Sequence, residues 1–261
     1  MVPVASFLGM ACSLLICLAI PLVGVWALWR RDRRILPVVG IGAVAFVGSQ
    51  MMLRIPLMQL ASAIAPNTLG AFLTSVPVAS FSAGIFEETA RLLCLVYLLK
   101  GARRLIDGVA FGLGHGGIEA ILLVGAAMVN NLVLGLAINF GYWDSLAGIL
   151  PGDAAQHIQT VLVETPSSAY FIGGIERMWA IGLHIVCSIL ILLGVVRGRK
   201  ALAWVAAVLV HGTANFALIT AISHGANMWI AELSGVALIA IVLVLVVRGA
   251  RKVLRAQASA H

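Results

Sequence analysis

The sequence is poor in charge. Of its 261 residues only 10 are Asp or Glu and 17 are Lys or Arg, so charged residues make up 10% of the chain. An average soluble domain carries about 25%. Too little polar cover exists for a water-facing globule. That excludes a soluble enzyme, a disordered chain and, despite a net charge of +7, a nucleic-acid-binding domain. Cysteine is scarce as well. Cys12, Cys17, Cys94 and Cys187 match no zinc-knuckle or redox spacing, and each lies in an apolar run, where cysteine serves as a small apolar residue. The zinc-protease signature His-Glu-x-x-His is absent, and so is any internal repeat. What is abundant is apolar: 62% of the residues are hydrophobic. They form runs long enough to cross the roughly 30 Å of a bilayer's hydrocarbon. The chain therefore reads as an all-α, polytopic transmembrane helical bundle, one integral membrane domain over residues 1–261 with the lipid bilayer as a partner.

Fourteen of the basic residues fall in four clusters: Arg30, Arg31, Arg33 and Arg34; Lys100, Arg103 and Arg104; Arg197, Arg199 and Lys200; Arg248, Arg251, Lys252 and Arg255. Basic residues are retained on the cytoplasmic side, so all four clusters are expected inside. The N-terminus is then outside and the C-terminus cytoplasmic, as for a protein of the bacterial cytoplasmic membrane. About seven spans satisfy the parity: Pro3–Trp29, Ile35–Leu53, Ala71–Leu99, Leu105–Ala127, Tyr170–Val196, Ala201–Ile222 and Trp229–Val247. The first has no positive n-region and ends in Arg30-Arg31-Asp32-Arg33-Arg34, so it reads as an anchor. An eighth span is possible within Met128–Ser168. There Val129–Tyr142 reads as a continuation of the fourth helix or a helix on the outer surface, and Asp144–Ser168, with Pro151 and Pro166, as an external loop.

Ionisable groups inside spans cost about 2.5–3.5 kcal/mol each on insertion scales and are functional candidates by default. Here they sit in four consecutive spans: Glu87, Glu88 and Arg91; His115 and Glu119; Glu176, Arg177 and His184; His211 with Asn215. Glu87 lies 13 residues from Lys100, His115 lies 11 from Arg104, His184 lies 13 from Arg197 and His211 lies 11 from Lys200. At 1.5 Å per residue all four stand roughly 16–20 Å above the inner charge ring. One Glu and three His thus reach a single layer near the bilayer midplane. Glu87 and Arg91, His115 and Glu119, and His211 and Asn215 are i,i+4 pairs that each share a helix face. Gly108, Gly112 and Gly116 form a small-residue stripe that permits close helix approach. His157, His224 and His261 fall in loops or the tail. Asp144, Asp153, Glu164, Glu232 and Arg54 are expected at the outer interface and Asp107 at the inner one, none with a chemical role.

The order of these motifs resembles the YhfC family of intramembrane peptidases, which is related to the CAAX-prenyl endopeptidases and bacteriocin-processing enzymes. The resemblance covers a four-helix catalytic core, about residues 71–222. It rests on Glu87-Glu88-x-x-Arg91, on Phe111-x-x-x-His115 within a Gly-x-Gly-His-Gly-Gly-x-Glu run, on Glu176-Arg177 ahead of His184, and on His211-x-x-x-Asn215. The CAAX-type enzymes space the first motif one residue longer, so prenyl-peptide specificity is not part of the expectation. The resemblance implies hydrolysis of a transmembrane or membrane-adjacent protein or peptide, with Glu87 as base and His115 and Asn215 as oxyanion donors in a metal-free scheme completed by His211. Arg91 would hold Glu88 and leave Glu87 to face the water. The same residues allow a metal scheme in which His115, His184 and His211 bind Zn²⁺, with Glu87 as base or fourth ligand. Cofactors thus stand as none or zinc. Two rival readings use the same midplane carboxylate and imidazoles: a proton-coupled transporter, which needs such a relay, and a non-catalytic scaffold for transmembrane partners.

The topology is testable by labelling. In a background with the native cysteines replaced, Ser145→Cys is expected to react with a membrane-impermeant maleimide on intact cells. Gly101→Cys is expected to react only after permeabilisation; the opposite pattern would reverse the orientation.

Overall fold

The computed structural model describes residues 1–150 and 152–258; Pro151 and His261 lie outside the described residues. Every element among the described residues is helical. In chain order they are α1 (Val4–Arg31), α2 (Arg33–Ile64), α3 (Pro66–Thr74), α4 (Val76–Leu98), α5 (Leu105–Asn139), α6 (Trp143–Ala147), α7 (Ala154–Glu164), α8 (Ser167–Val196), α9 (Lys200–Ser223) and α10 (Met228–Ala258). Six of these are long and apolar enough to cross a membrane, and α3 with α4, bent by 63° at their junction, brings the number to seven when counted as one span. The bend sits at Ser75, whose extended backbone (φ −59°, ψ 144°) interrupts the helix just ahead of Pro77. Pro77 occupies the first turn of α4, where its missing N–H would have had no intrahelical partner, so the helix tolerates it there.

Most span limits follow the apolar runs, but α2 continues eleven residues past the expected end at Leu53 to Ile64, and Pro66–Gly70, ahead of the expected start at Ala71, is helical too. Val129–Asn139 is not a separate helix: α5 runs from Leu105 to Asn139, so this stretch continues the fourth helix. The segment that follows, expected as an external loop, is not bare but carries the short helices α6 and α7. Gly141, at φ +80°, turns the chain off the end of α5, and Gly198, at φ +70°, makes the tight turn from α8 to α9.

α8 is the central helix. It packs against α1, α5, α9 and α10, while α2 lies along α5 and α9 along α4. Most of its length is buried, including Ile181, Leu183, Val186, Ile189 and Ile191. By contrast α10 exposes Ile230, Leu238, Ile241 and Leu245, as a helix facing lipid tails does. At the charged end Arg104 bridges Asp107 and Asp32 and so links two of the basic clusters. The hydrogen bond from Arg104 holds the Asp32 carboxyl below the usual carboxylate range.

The glycine stripe lets α5 touch α8 backbone to backbone. A Cβ on Gly112 would stand 2.4 Å from the Ile185 Cα, and one on Gly116 would stand 2.9 Å from the His184 ring. Gly114 faces the other way, where a Cβ would meet the Val39 carbonyl at 2.1 Å. α5 is therefore wedged between α8 and α2 with no room for side chains at these positions. Overpacking of this kind costs about 1–3 kcal/mol or more. Gly112→Val is expected to lower the thermal midpoint of the detergent-solubilised protein clearly. Gly40→Ala, where an added Cβ meets nothing within 4 Å, is expected to leave it unchanged or higher.

Candidate active site

The chemistry-bearing residues come from five helices. α4 supplies Glu87, Glu88 and Arg91; α5 supplies His115 and Glu119; α8 supplies Glu176, Arg177 and His184; α9 supplies His211 and Asn215. α2, where no site residue was expected, adds Gln50 and Arg54. Close helix approach brings them together. Gly84 of α4 faces the backbone of α9 at Val208 and Gly212, which sets Glu88 against His211. Phe111, one turn before His115, stacks on its ring with centroids 6.3 Å apart, and Phe46 meets the same ring edge-on at 5.5 Å. The Phe-x-x-x-His spacing thus has a packing reason.

The layer is organised as three imidazole–carboxylate pairs. His115 Nε2 lies 2.9 Å from Glu87 Oε2, His211 Nδ1 lies 2.9 Å from Glu88 Oε1, and His184 Nε2 lies 2.6 Å from Glu119 Oε2. Two guanidinium groups complete it. Arg91 Nε stands 3.3 Å from Glu88 Oε2, while its other nitrogens donate to the His184 carbonyl (2.8 Å) and approach His184 Nδ1 (3.1 Å). Arginine can only donate, so His184 Nδ1 is the acceptor and Nε2 is the atom left for Glu119. Arg177 donates to Glu119 Oε1 at 2.8 Å and also binds Glu176, which is partly exposed. Glu87, Glu88, Arg91, His115, His184 and His211 are all buried.

Glu87 Oε2 is the focus of the layer. A ring nitrogen of each histidine lies within 4.0 Å of it: His115 Nε2 at 2.9 Å, His184 Nδ1 at 3.7 Å and His211 Nε2 at 4.0 Å. Beside it opens a cavity of about 170 Å³ bounded by Glu87, Glu119, His184, His211, Asn215 and Arg54. Asn215 thus shares the cavity with Glu87. Cys187, expected to be apolar filling, lies with Glu88 and His211 in a second close group of donor atoms.

Residues 16–246 match the YhfC intramembrane metalloprotease family. The chain belongs to that family. An "uncharacterized membrane protein YhfC" of Bacillus subtilis (strain 168) is 40% identical over 136 residues, 51% of this chain and 52% of the relative. The chain spans about half the length of the curated relative it matches. No solved structure matches the fold.

For this metalloprotease family, the donor chemistry is the relevant check. One donor atom each from Glu87, His115, Glu119 and His184 lies within 4.8 Å of all the others. Glu119 Oε2 and His115 Nδ1 are buried without a hydrogen-bond partner, although Glu119 Oε2 stands so near His184. Close approach without bonding geometry suits a group of ligands that an ion would draw together. Carboxylate and imidazole donors are those of zinc. The residues therefore fit a divalent ion.

Two residues expected at the outer interface are placed differently. Arg54 turns inward, donating to Gln50 Oε1 (3.0 Å), Ser82 Oγ (3.0 Å) and the Ala79 carbonyl (2.6 Å). Glu232 is buried and accepts a hydrogen bond from Trp179 Nε1 at 2.6 Å, which ties α10 to α8. Both errors share a cause: position near a span end was read as exposure, whereas the polar partners come from other helices. Gln50 had a sequence signal, being an amide well inside an apolar run.

Removing one member of a buried ion pair costs about 3–5 kcal/mol, because the other charge stays buried and alone. Glu88 and Arg91 are both fully buried. Arg91→Ala is therefore expected to abolish recovery of folded protein or depress its thermal midpoint strongly. Glu176→Gln, on a partly exposed side chain, is expected to shift it little.

Proposed function

We propose that the chain is an intramembrane endopeptidase in which Glu87 activates water to hydrolyse a peptide bond of a transmembrane or membrane-adjacent substrate. The observation that carries this reading is the convergence of three imidazoles on one oxygen of Glu87 at the edge of a small cavity. The chemistry-bearing residues lie within the core of about residues 71–222, with Gln50 and Arg54 added from α2.

Hydrolysis needs a base, a held carbonyl and a proton for the leaving amine. Glu87 Oε2 takes the proton from water and later passes it to the amide nitrogen as the carbon–nitrogen bond breaks. Asn215 faces the same cavity and can donate its amide N–H to the developing oxyanion. His115, His184 and Glu119 are the residues that would hold a divalent ion, a two-histidine, one-carboxylate set. Such an ion, when bound, polarises the scissile carbonyl and acidifies the attacking water. His184 offers Nε2, since Arg91 occupies Nδ1, and would give up its proton on ligation. His211 is held by Glu88 through Nδ1 and closes the cavity wall with Nε2. Glu88 and Arg91 orient His211 and His184 and touch no substrate.

Glu87→Gln is expected to lower cleavage by about 10²–10⁴-fold, the usual share of a general base, in a folded protein. Comparing the membrane proteome of cells carrying wild type or Glu87→Gln identifies the substrate. Zinc analysis of the purified protein, with cleavage measured before and after chelation, tests the ion. Stoichiometric zinc lost together with activity supports the reading. Full activity without metal that still needs Glu87 would remove the ion and leave the glutamate scheme. Normal cleavage by Glu87→Gln would sink the peptidase assignment.

A further inference from the structure

α2 is not a uniform α-helix. Over Val47–Arg54 it widens into a π-helix, in which each N–H reaches back five residues instead of four. Such stretches are frequent at functional sites, and of the four among the described residues this one carries a side chain that hydrogen-bonds Glu87. Here the widened stretch buries Gln50 and turns Arg54 inward, toward α4.

Gln50 Nε2 donates to Glu87 Oε1 at 2.6 Å and to the Ala83 carbonyl at 3.4 Å. Glutamine could present either end of its amide, but Arg54 decides the matter. Arg54 has only donors, and one of its terminal nitrogens is 3.0 Å from Gln50 Oε1. The carbonyl of Gln50 must face Arg54, so its NH₂ must face Glu87. Arg54 is itself anchored on α4 at Ser82 Oγ and the Ala79 carbonyl. The arm thus grips the helix that carries Glu87. Among the described residues Arg54 has no carboxylate within ion-pair distance, unlike Arg91 and Arg177, which are both paired. It stands between the cavity beside Glu87 and an apolar pocket of about 430 Å³ lined by Leu57, Leu69 and Phe86.

We propose that Gln50 is a positioning residue for Glu87 and that Arg54 sets its amide. With Oε1 held by a neutral donor, Oε2 is the oxygen presented to His115, His184 and His211. Gln50 and Arg54 line the cavity beside Glu87 but hydrogen-bond to none of His115, His184 and Glu119. Their effect falls on the orientation of the base, not on substrate affinity. This rests on the reading of Glu87 as the base.

The experiment uses the full chain in lipid nanodiscs, as wild type, Gln50→Leu, Arg54→Leu and Arg54→Lys, with two readouts. Infrared spectroscopy isolates the Glu87 carboxylate bands by subtracting the spectrum of Glu87→Gln. Those bands are expected to shift in Gln50→Leu and Arg54→Leu. They are expected to return toward wild type in Arg54→Lys, which keeps a donor-only cation. Cleavage of a reporter peptide taken from the proteomic substrate should show kcat lowered roughly 10–100-fold, the range for outer-shell partners, with KM unchanged. Unshifted carboxylate bands, or wild-type kcat in Gln50→Leu, would overturn the proposal. Shifted bands with no hydrolysis by wild type would support the positioning and instead overturn the peptidase reading.

Discussion

One guanidinium holds the interior together. Arg91 is fully buried, and its nitrogens reach Glu88 on its own helix and both the carbonyl and the ring of His184 on another. In hydrocarbon a lone charge is expensive, and its cost falls only when partners are fixed around it. Arg91 therefore ties α4 to α8, makes Nδ1 of His184 an acceptor, and stands as counterion to Glu88, whose other oxygen faces His211 Nδ1. Two of the three imidazole–carboxylate pairs, His211 with Glu88 and His184 with Glu119, each have a member in contact with that one side chain. Their separation in the chain, up to 123 residues for Glu88 and His211, shows how much of the fold is committed to meeting it.

The spans were legible because hydrocarbon imposes a simple rule: apolar length and flanking charge. The layer of Glu87, His115, His184 and His211 was legible for a related reason, since distance along a helix converts directly into depth. Pairings were not legible. Depth fixes a height but not an azimuth, so the sequence could not tell that His115 faces Glu87 whereas His184 faces Glu119. The inward turn of Arg54 was not legible because a π-helical stretch alters which side of α2 points inward, whereas Gln50 did leave a signal as an amide inside an apolar run. Glu232 was missed because its partner, Trp179, lies 53 residues away on another helix.

The site is also built where packing leaves no slack. Gly112 and Gly116 bring α5 against α8 at the level of His115 and His184, so the two rings stand with centroids 4.8 Å apart. A glycine-rich run around a histidine is often read as flexibility. Here it does the reverse: absent side chains let backbones lock, and the locked backbones fix the imidazoles.

The Glu88–Arg91 pair has a consequence for how the protein reaches the membrane. Its two members lie three residues apart on one helix, whereas His184 and His211 are translated about a hundred residues later. When α4 leaves the ribosome it already carries a counterion for its own arginine, and Glu176 beside Arg177 does the same for α8. Each helix can thus enter the bilayer with most of its charge neutralised before its final partners exist. Assembly of the layer then adds partners from other helices, His184 for Arg91 and Glu119 for Arg177, to pairs that persist in the finished fold.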